Sequence, residues 1–507
     1  MNKGEKSFLN AVAALIQMAV TSIIGLFFNK TILSVYGSDY NGINSTVSQI
    51  INTLMIFEAG FSLASNVALF KPFSTKDYNG INEILSATKK RFIIIGLIVF
   101  LIGILLSMVY PFFATSAMPK ITIGILMLTA LIPITFNLSF SMKYRVLLLT
   151  DQKEYIISII TAVSYLVGNG LAIIFMRNGC SIVVARLIIM TFLLINYFLI
   201  IIICKKRYSF IDFSVTPNYK AIKGTNNVIV LKLTSVAYSS APIIVLSMIP
   251  NLGAILASIY AVYKNIISVV RDTLTSITSS PRLSFGAVFS EGRIKDAEKL
   301  YSKYELVTCI CVSIILGTTC LLFLPFVKLY TSGISDANYI DRLLAIIMLT
   351  TAAVEILHIP SGQMIQMKGD FKTSRSIQSI AFIVLIFSMI FGVYFFKLYG
   401  VVSSVLIAAI ILAVCEIFYT NFRIFKRNPM VLILNLSPCI IICIIASYFG
   451  LNEYILISSY VDFIWIGMVS LIIITIITIT AYTLVRYKSM RFIFNYGIKL
   501  LKIRRKK

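Results

Sequence analysis

Stretches of about twenty apolar residues recur along the whole chain, each closed by a turn signal or a cluster of charge. A helix of that length crosses the hydrocarbon layer of a bilayer, so an all-α polytopic membrane protein is expected. About fourteen such runs can be drawn, over 8–36, 41–70, 92–114, 120–150, 155–177, 181–204, 226–249, 254–285, 305–330, 342–368, 376–396, 401–422, 431–450 and 462–485. The first, second and eighth are longer than a bilayer needs and should tilt or protrude. Composition agrees: 58% of the 507 residues are hydrophobic and 13% are charged, more apolar surface than a soluble core of this size requires. The first run follows Lys3 and Lys6 but lacks a small-residue cleavage site, so it reads as a membrane helix rather than a signal peptide.

The net charge of +25 raises the question of nucleic acid. The cations are not gathered in one basic domain, however. They occupy short loops between the apolar runs, where they set orientation, and no nucleic-acid partner is expected. With the N-terminus inside, about 35 of the 45 basic residues fall on the inner side and about five outside (Lys120, Arg177, Lys328, Arg342 and Lys397). Both termini are then cytoplasmic. The longest inner loop, 205–225, holds Pro217 and Gly224 and divides an N-terminal six-helix lobe, 1–204, from a C-terminal one, 226–422. Two further helices within 431–485 follow, then a basic tail, 486–507, suited to anionic membrane lipids. An internal repeat supports the division. YGSDYNGI (36–43) and IPNLGAI (249–255) stand at corresponding joints, and the helix after each ends in a charged elbow, 70–92 and 285–306. Two pseudo-symmetric lobes around a central cavity are expected.

Within the apolar runs, charge is the functional signal, because an ionised side chain at mid-membrane costs roughly 2.5–3.5 kcal/mol. In 254–285, Tyr260, Lys264, Ser268, Arg271, Thr275 and Thr278 recur at helical spacing and share one face, with Asp272 beside it. That face must turn to protein or water. It either lines a translocation cavity or holds Arg271 in a buried ion pair with a carboxylate of a neighbouring helix. Glu58 lies at similar depth in the repeat-related second run. Lys232 begins a stripe with Ser235 and Ser239 on the seventh run, and Arg145 joins Asn137 and Ser141 on the fourth. Lys264, Arg271, Asp272, Glu58, Lys232 and Arg145 are therefore candidate cavity residues that bind substrate. Glu355 and His358 form an i, i+3 pair ahead of Pro360 and Gly362, a kink or hinge. With Glu58, they are candidates for protonation coupled to transport. Lys30, Arg186 and Glu416 lie nearer helix ends and read as snorkelling.

Lys232, Lys264 and Arg271 outweigh Glu58 and Asp272, so such a cavity suits an anionic head group. Pyrophosphate is the natural candidate, since Arg offers paired donors to phosphate oxygens and Lys a point charge. The eight cysteines show no metal-site spacing. No metal, no cofactor and no disulfide framework is expected, and the coupling ion, H+ or Na+, is left open. With His358 the single histidine, catalysis needing several imidazoles is excluded.

Two stretches carry a family resemblance. One is YGSDYNGINSTVSQIINTLMIFEAGFSLASNVALFKPFSTKDYNGI (36–81), with Glu58 and Gly60 at its centre and Lys71 and Pro72 at its exit. The other is YRVLLLTDQKEYI (144–156). They resemble the second helix, and the stretch after the fourth, of polysaccharide repeat-unit flippases (Wzx type) in the multidrug/oligosaccharidyl-lipid/polysaccharide (MOP) exporter superfamily. Motif-level agreement covers those stretches, and coarse organisation agrees along nearly all of the chain. The resemblance implies two six-helix lobes enclosing a central cleft, plus two terminal helices. It implies a flippase of the bacterial cytoplasmic membrane that moves an undecaprenyl-pyrophosphate-linked oligosaccharide from the inner to the outer leaflet by alternating access. Capsule, exopolysaccharide or O-antigen would be the product, with a polymerase and other assembly proteins as partners. The chain departs from the family at YSSAPIIVLS (238–247), where many relatives carry an Asp midway along the seventh helix. Ala241 and Pro242 stand there, which puts ion coupling through that position in question. A lipid II flippase and a small-molecule exporter of the same fold are the alternatives. A membrane polymerase or glycosyltransferase would need a large outer domain, whereas the longest outer loops, 331–341 and 451–461, hold about a dozen residues. No enzymatic activity is expected.

Overall fold

The structure, a computed structural model, describes residues 3–222, 226–279, 293–452, 455 and 457–504. They form two compact units.

The first unit comprises Met1–Ala261 with Gly333–Ala337. It contains α1 (Lys3–Leu54), α2 (Ile56–Thr75), α3 (Tyr78–Phe113), α4 (Lys120–Phe136), α5 (Met142–Thr150), α6 (Glu154–Arg177), α7 (Ile182–Arg207), α8 (Asn226–Ser247) and the opening turns of α9 (Gly253–Ser279). α1 holds the first run and the start of the second, bent at Gly37, where φ is 85°. A side chain is disfavoured there on two counts: the left-handed backbone, and a carboxylate oxygen of Asp336 that would lie 2.7 Å from a Cβ. That carboxylate accepts hydrogen bonds from the Ser38 N–H at 2.6 Å and the Ser38 hydroxyl at 2.7 Å. The second run is not continuous. Helix stops at Leu54, Met55 forms a turn, and α2 restarts just before Glu58. α2 ends at Lys76 in the left-handed region (φ 56°), and Asp77 caps α3 by accepting from the Gly80 N–H at 2.9 Å. The charged elbow is thus mostly helix, and α3 begins at Tyr78, well ahead of the run expected from 92.

The fourth run passes through a π-helical turn, Asn137–Ser141, between α4 and α5. Asn137 Oδ1 and Ser141 Oγ are buried there with no hydrogen-bond partner among the described residues. α8 packs along α1 and α2, so the first unit runs on through the 205–225 segment instead of ending at it. Ile32, Ile43, Val47, Leu126 and Met127 form one core cluster, and Leu85, Phe92, Leu147 and Leu148 another. The outside is apolar too. Ile94, Leu97, Leu101, Leu105 and Met108 share one face of α3 and are between 56% and 64% exposed. A soluble protein buries such a stripe against its core, whereas a membrane protein turns it to lipid.

The second unit comprises Val262–Ser332 and Asn338–Lys507. It holds the rest of α9, then α10 (Ile294–Tyr330), α11 (Arg342–Leu357), α12 (Ile359–Met367), α13 (Phe371–Phe418), α14 (Pro429–Leu451) and α15 (Tyr460–Arg504). Side-chain caps start four of these helices, among them α15, where the Ser459 hydroxyl accepts from the Asp462 N–H at 3.1 Å. Asp341 accepts from the Leu344 N–H at 2.9 Å, Asp370 from the Thr373 N–H at 3.2 Å, and Asn428 from the Met430 N–H at 2.8 Å. The tenth run breaks at His358, two residues before Pro360, whose ring cannot continue the helical ladder. α13 carries two runs and turns at Lys397 (φ 46°), where the Gly392 and Gly400 backbones touch across the bend. α15 is interrupted at Arg486, the expected start of the basic tail.

Among the described residues, 11 helices are long and apolar enough to cross a membrane. α1 and α13 each hold parts of two runs, and α8 adds another, which brings the total into line with the about fourteen runs expected. The molecule is an all-α, multi-pass membrane protein.

Candidate functional site

The polar face of α9 does not meet one uniform environment. Tyr260 and Thr278 are buried, and Ser268 and Thr278 turn their hydroxyls back onto the α9 backbone. Arg271 is 34% exposed and Asp272 58% exposed. From Arg271, Nη1 lies 3.5 Å from Oε2 of Glu355 on α11, and Nε lies 3.5 Å from Oδ1 of Asp272. Lys264, half-buried two turns earlier on α9, is close enough for the charges of Arg271 and Glu355 to act on it. Lys264, Arg271, Asp272 and Glu355 therefore form one group. The ion pair weighed for Arg271 is present, yet the guanidinium is not sealed. Both of its carboxylate contacts are also longer than the about 2.7–2.9 Å of a charge-assisted hydrogen bond, so its donors are not saturated. Glu355 brings the group to formal balance, two cations against two carboxylates, where an excess of cation was expected.

Glu355 and His358 do not pair with each other. α11 ends at Leu357, and the His358 ring turns instead to Glu416 on α13, Nδ1 to Oε2 at 2.8 Å. Glu416 is not snorkelling: it is buried and packed against Gly362. Arg186 is likewise engaged inward rather than reaching for an interface. Its Nε donates to Asn44 Oδ1 at 2.7 Å, and its Nη2 to the Asn44 carbonyl at 3.1 Å and the Ser48 hydroxyl at 3.0 Å. Both corrections share a cause. A long side chain near a helix end snorkels only when no neighbouring helix offers it a partner, and here one does.

In the first unit, Glu58 of α2 lies close enough for its charge to act on Arg145 of α5, as do Glu154 and Tyr197. The side chain of Lys232 lies outside the described residues. Within the first unit Glu58 lies with Arg145, and within the second Lys264, Arg271, Asp272 and Glu355 lie together, while His358 pairs with Glu416.

Sequence reasoning passed over a dense polar cluster. Glu305 on α10 accepts from Arg427 Nη1 and Nη2, both at 3.1 Å, and from Asn435 Nδ2 on α14 at 2.6 Å. Arg427 also donates to Asn421 Oδ1 at 2.7 Å and stacks over the Tyr301 ring. Glu305, Arg427 and Asn435 are all buried. Arg427 reads as an inner-loop cation. The available signal was Asn435, an amide near the start of the largely apolar run 431–450. Also within the second unit, α10, α11 and α14 bound an apolar cavity of about 670 Å³ lined by Leu316, Leu349, Cys320 and Cys443. All eight cysteines are free.

The fold of this molecule is similar to that of solved membrane transporters. No family model matches the chain, and no curated protein matches it in sequence. Solved structures do match in fold. The lipid II flippase MurJ in an inward closed conformation aligns with a TM-score of 0.66 at 13% identity, over 94% of this chain and 99% of that one. An inward-facing multidrug resistance MATE family transporter of the MOP superfamily aligns with a TM-score of 0.59 at 13% identity, over 81% and 98%. The MATE multidrug transporter DinF-BH gives 0.58 at 15% identity, over 84% and 97%.

Proposed function

We propose that the protein is a flippase that carries an undecaprenyl-pyrophosphate-linked oligosaccharide from the inner to the outer leaflet of the bacterial cytoplasmic membrane, by alternating access, for polysaccharide biosynthesis. The observation that carries this reading is the loosely held Arg271. A phosphate oxygen can compete for donors whose carboxylate partners stand at 3.5 Å, and Lys264 adds a second cation beside them. Glu355 would then be released from Arg271 as substrate arrives, and its protonation, or that of Glu58, is the step through which H+ could be coupled. An inside-negative potential would favour outward movement of an anion by roughly 2.3 kcal/mol per charge per 100 mV. The fold shared with flippases and exporters supports a carrier over an enzyme, and the motifs at 36–81 and 144–156 support a repeat-unit substrate.

Deletion of the gene should make a lipid-linked oligosaccharide accumulate on the inner face. Restoring the chain with Arg271→Ala should leave it accumulating while membrane insertion is normal. Normal export in the Arg271→Ala strain would overturn the assignment. The second reading, a lipid II flippase, is favoured by the match to MurJ over 94% of the chain. It requires peptidoglycan precursor, and not an oligosaccharide repeat unit, to accumulate on depletion.

A further inference from the structure

At one end of the first unit the segment after α7 folds over the start of α3. Asn82 Nδ2 donates to the Phe210 carbonyl at 2.8 Å, the Asp212 N–H donates to Asn82 Oδ1 at 3.2 Å, and the Asn218 N–H donates to the Glu83 carbonyl at 3.2 Å. These bonds bring the Phe213 ring within reach of two lysines. Nζ of Lys89 on α3 is 5.1 Å from its centroid, and Nζ of Lys143 on α5 is 5.2 Å from it. Lys143 Nζ also lies 5.4 Å from the Tyr144 ring centroid. Arg91 extends the group, its guanidinium 5.6 Å from the Phe61 ring and 5.5 Å from that of Tyr219.

Lys143 is 8% exposed. The charges near enough to act on it are those of Lys89 and Lys205, both of its own sign. Among the described residues no carboxylate lies within ion-pair distance of these three lysines. Asp212, adjacent in sequence to Phe213, turns its carboxylate to the Ser214 N–H and hydroxyl at 2.8 and 2.7 Å. An ammonium on a largely buried side chain with like-charged neighbours gains from an opposite charge, and attraction to ring faces supplies only part of that stabilisation. We propose that the cluster binds a phosphate-bearing anion, with Lys143 as the buried anchor and Lys89 and Lys205 closing on it from the rim. Several ammonium groups gathered in one neighbourhood suit a multiply charged oxyanion. Its source is either the head group of an anionic phospholipid or a soluble phosphate. The inference needs no transport and stands apart from the carrier reading.

The test uses the full chain purified in an uncharged detergent, with thermal unfolding as the readout. One arm is titrated with inorganic pyrophosphate. The other receives dioleoylphosphatidylglycerol in mixed micelles, with phosphatidylcholine as the neutral reference. Wild type should show a saturable rise in Tm with at least one anionic probe. The half-saturating concentration should rise about tenfold or more in Lys143→Gln and severalfold in Lys89→Gln, and stay unchanged in Lys368→Gln, an exposed position of the second unit. A response to pyrophosphate alone assigns a soluble ligand, to phosphatidylglycerol alone a lipid head group, and to both a site that reads the phosphate itself. Equal saturation in wild type, Lys143→Gln and Lys89→Gln overturns the proposal, as does the lack of any saturable shift in wild type. Lys143→Gln removes a buried charge and should fold, and Lys89→Gln at a half-exposed position carries the test if it does not.

Discussion

Arg271 and Arg427 are both paired with glutamate inside the second unit, and their surroundings give them opposite roles. Arg427 donates to Glu305 through two nitrogens in a buried setting. Arg271 meets Glu355 at 3.5 Å with a third of its side chain accessible. Removing one partner of a buried pair strands the other charge and costs about 3–5 kcal/mol, whereas a loose, accessible pair contributes about 0–1 kcal/mol. Arg427→Ala should therefore lower the melting temperature in detergent far more than Arg271→Ala, while Arg271→Ala should show the larger loss in a flipping assay. Equal melting temperatures for the two variants would contradict this division. At this scale the sequence is a partial guide. It marks Arg271, Glu355 and Glu58 as charges that need an explanation, because the cost of placing them in an apolar run is local. It does not reveal that Glu355 takes Arg271 and leaves His358 to Glu416. Those partners lie 84 and 58 residues away, and helix packing, not spacing, chooses them.

The helices themselves are more legible, since bilayer thickness sets their length and Gly37, Pro360 and the Asp and Asn caps set their breaks. Their inner ends are less so, because outside the apolar layer hydrogen-bonded caps decide where a helix starts. The turn at 151–153 shows such a junction. Asp151 accepts from Tyr208 at 2.7 Å and from Lys6 at 2.9 Å, and also pairs with Lys153. Nearby, Asn10 bonds the Gln152 carbonyl and the Tyr155 N–H at 3.0 and 2.8 Å. Burial alone pushes the Asp151 carboxyl upward, but the bonds from Lys153, Tyr208 and Lys6 together outweigh it and hold the group below the usual carboxylate range. A depressed folded value means that the ionised form stabilises the fold above the unfolded value of about 3.9, and that this contribution disappears as pH falls through the folded value. Between pH 6 and about pH 3 the wild type should lose more melting temperature than Asp151→Asn. Parallel pH profiles for the two proteins would show that the junction contributes nothing.

For the whole molecule, apolar stripes such as that on α3 face outward and polar side chains are spent on helix contacts, the reverse of a soluble fold. Orientation follows from the basic loops and can be checked on intact cells. In a cysteine-free background, single cysteines at Ala117 and Asn338 should react with a membrane-impermeant maleimide. Those at Gln152 and Gly369 should react only after permeabilisation. The inverse pattern would reverse the orientation. The repeat at 36–43 and 249–255 and the linker at 205–225 point to a two-part chain; the two compact units divide within α9, and α8 finds its packing partners in α1 and α2. Contacts of that kind leave no trace in local composition.

The carboxylate that holds the Gly37 bend comes from Asp336, 298 residues beyond the Ser38 amide it accepts from. During biosynthesis, then, the N-terminal hairpin must wait in the translocon or the lipid, its staple missing, until well over half of the polypeptide has left the ribosome. A product truncated before that point would be short of more than its last helices: its bend at Gly37 would lack the carboxylate that fastens it.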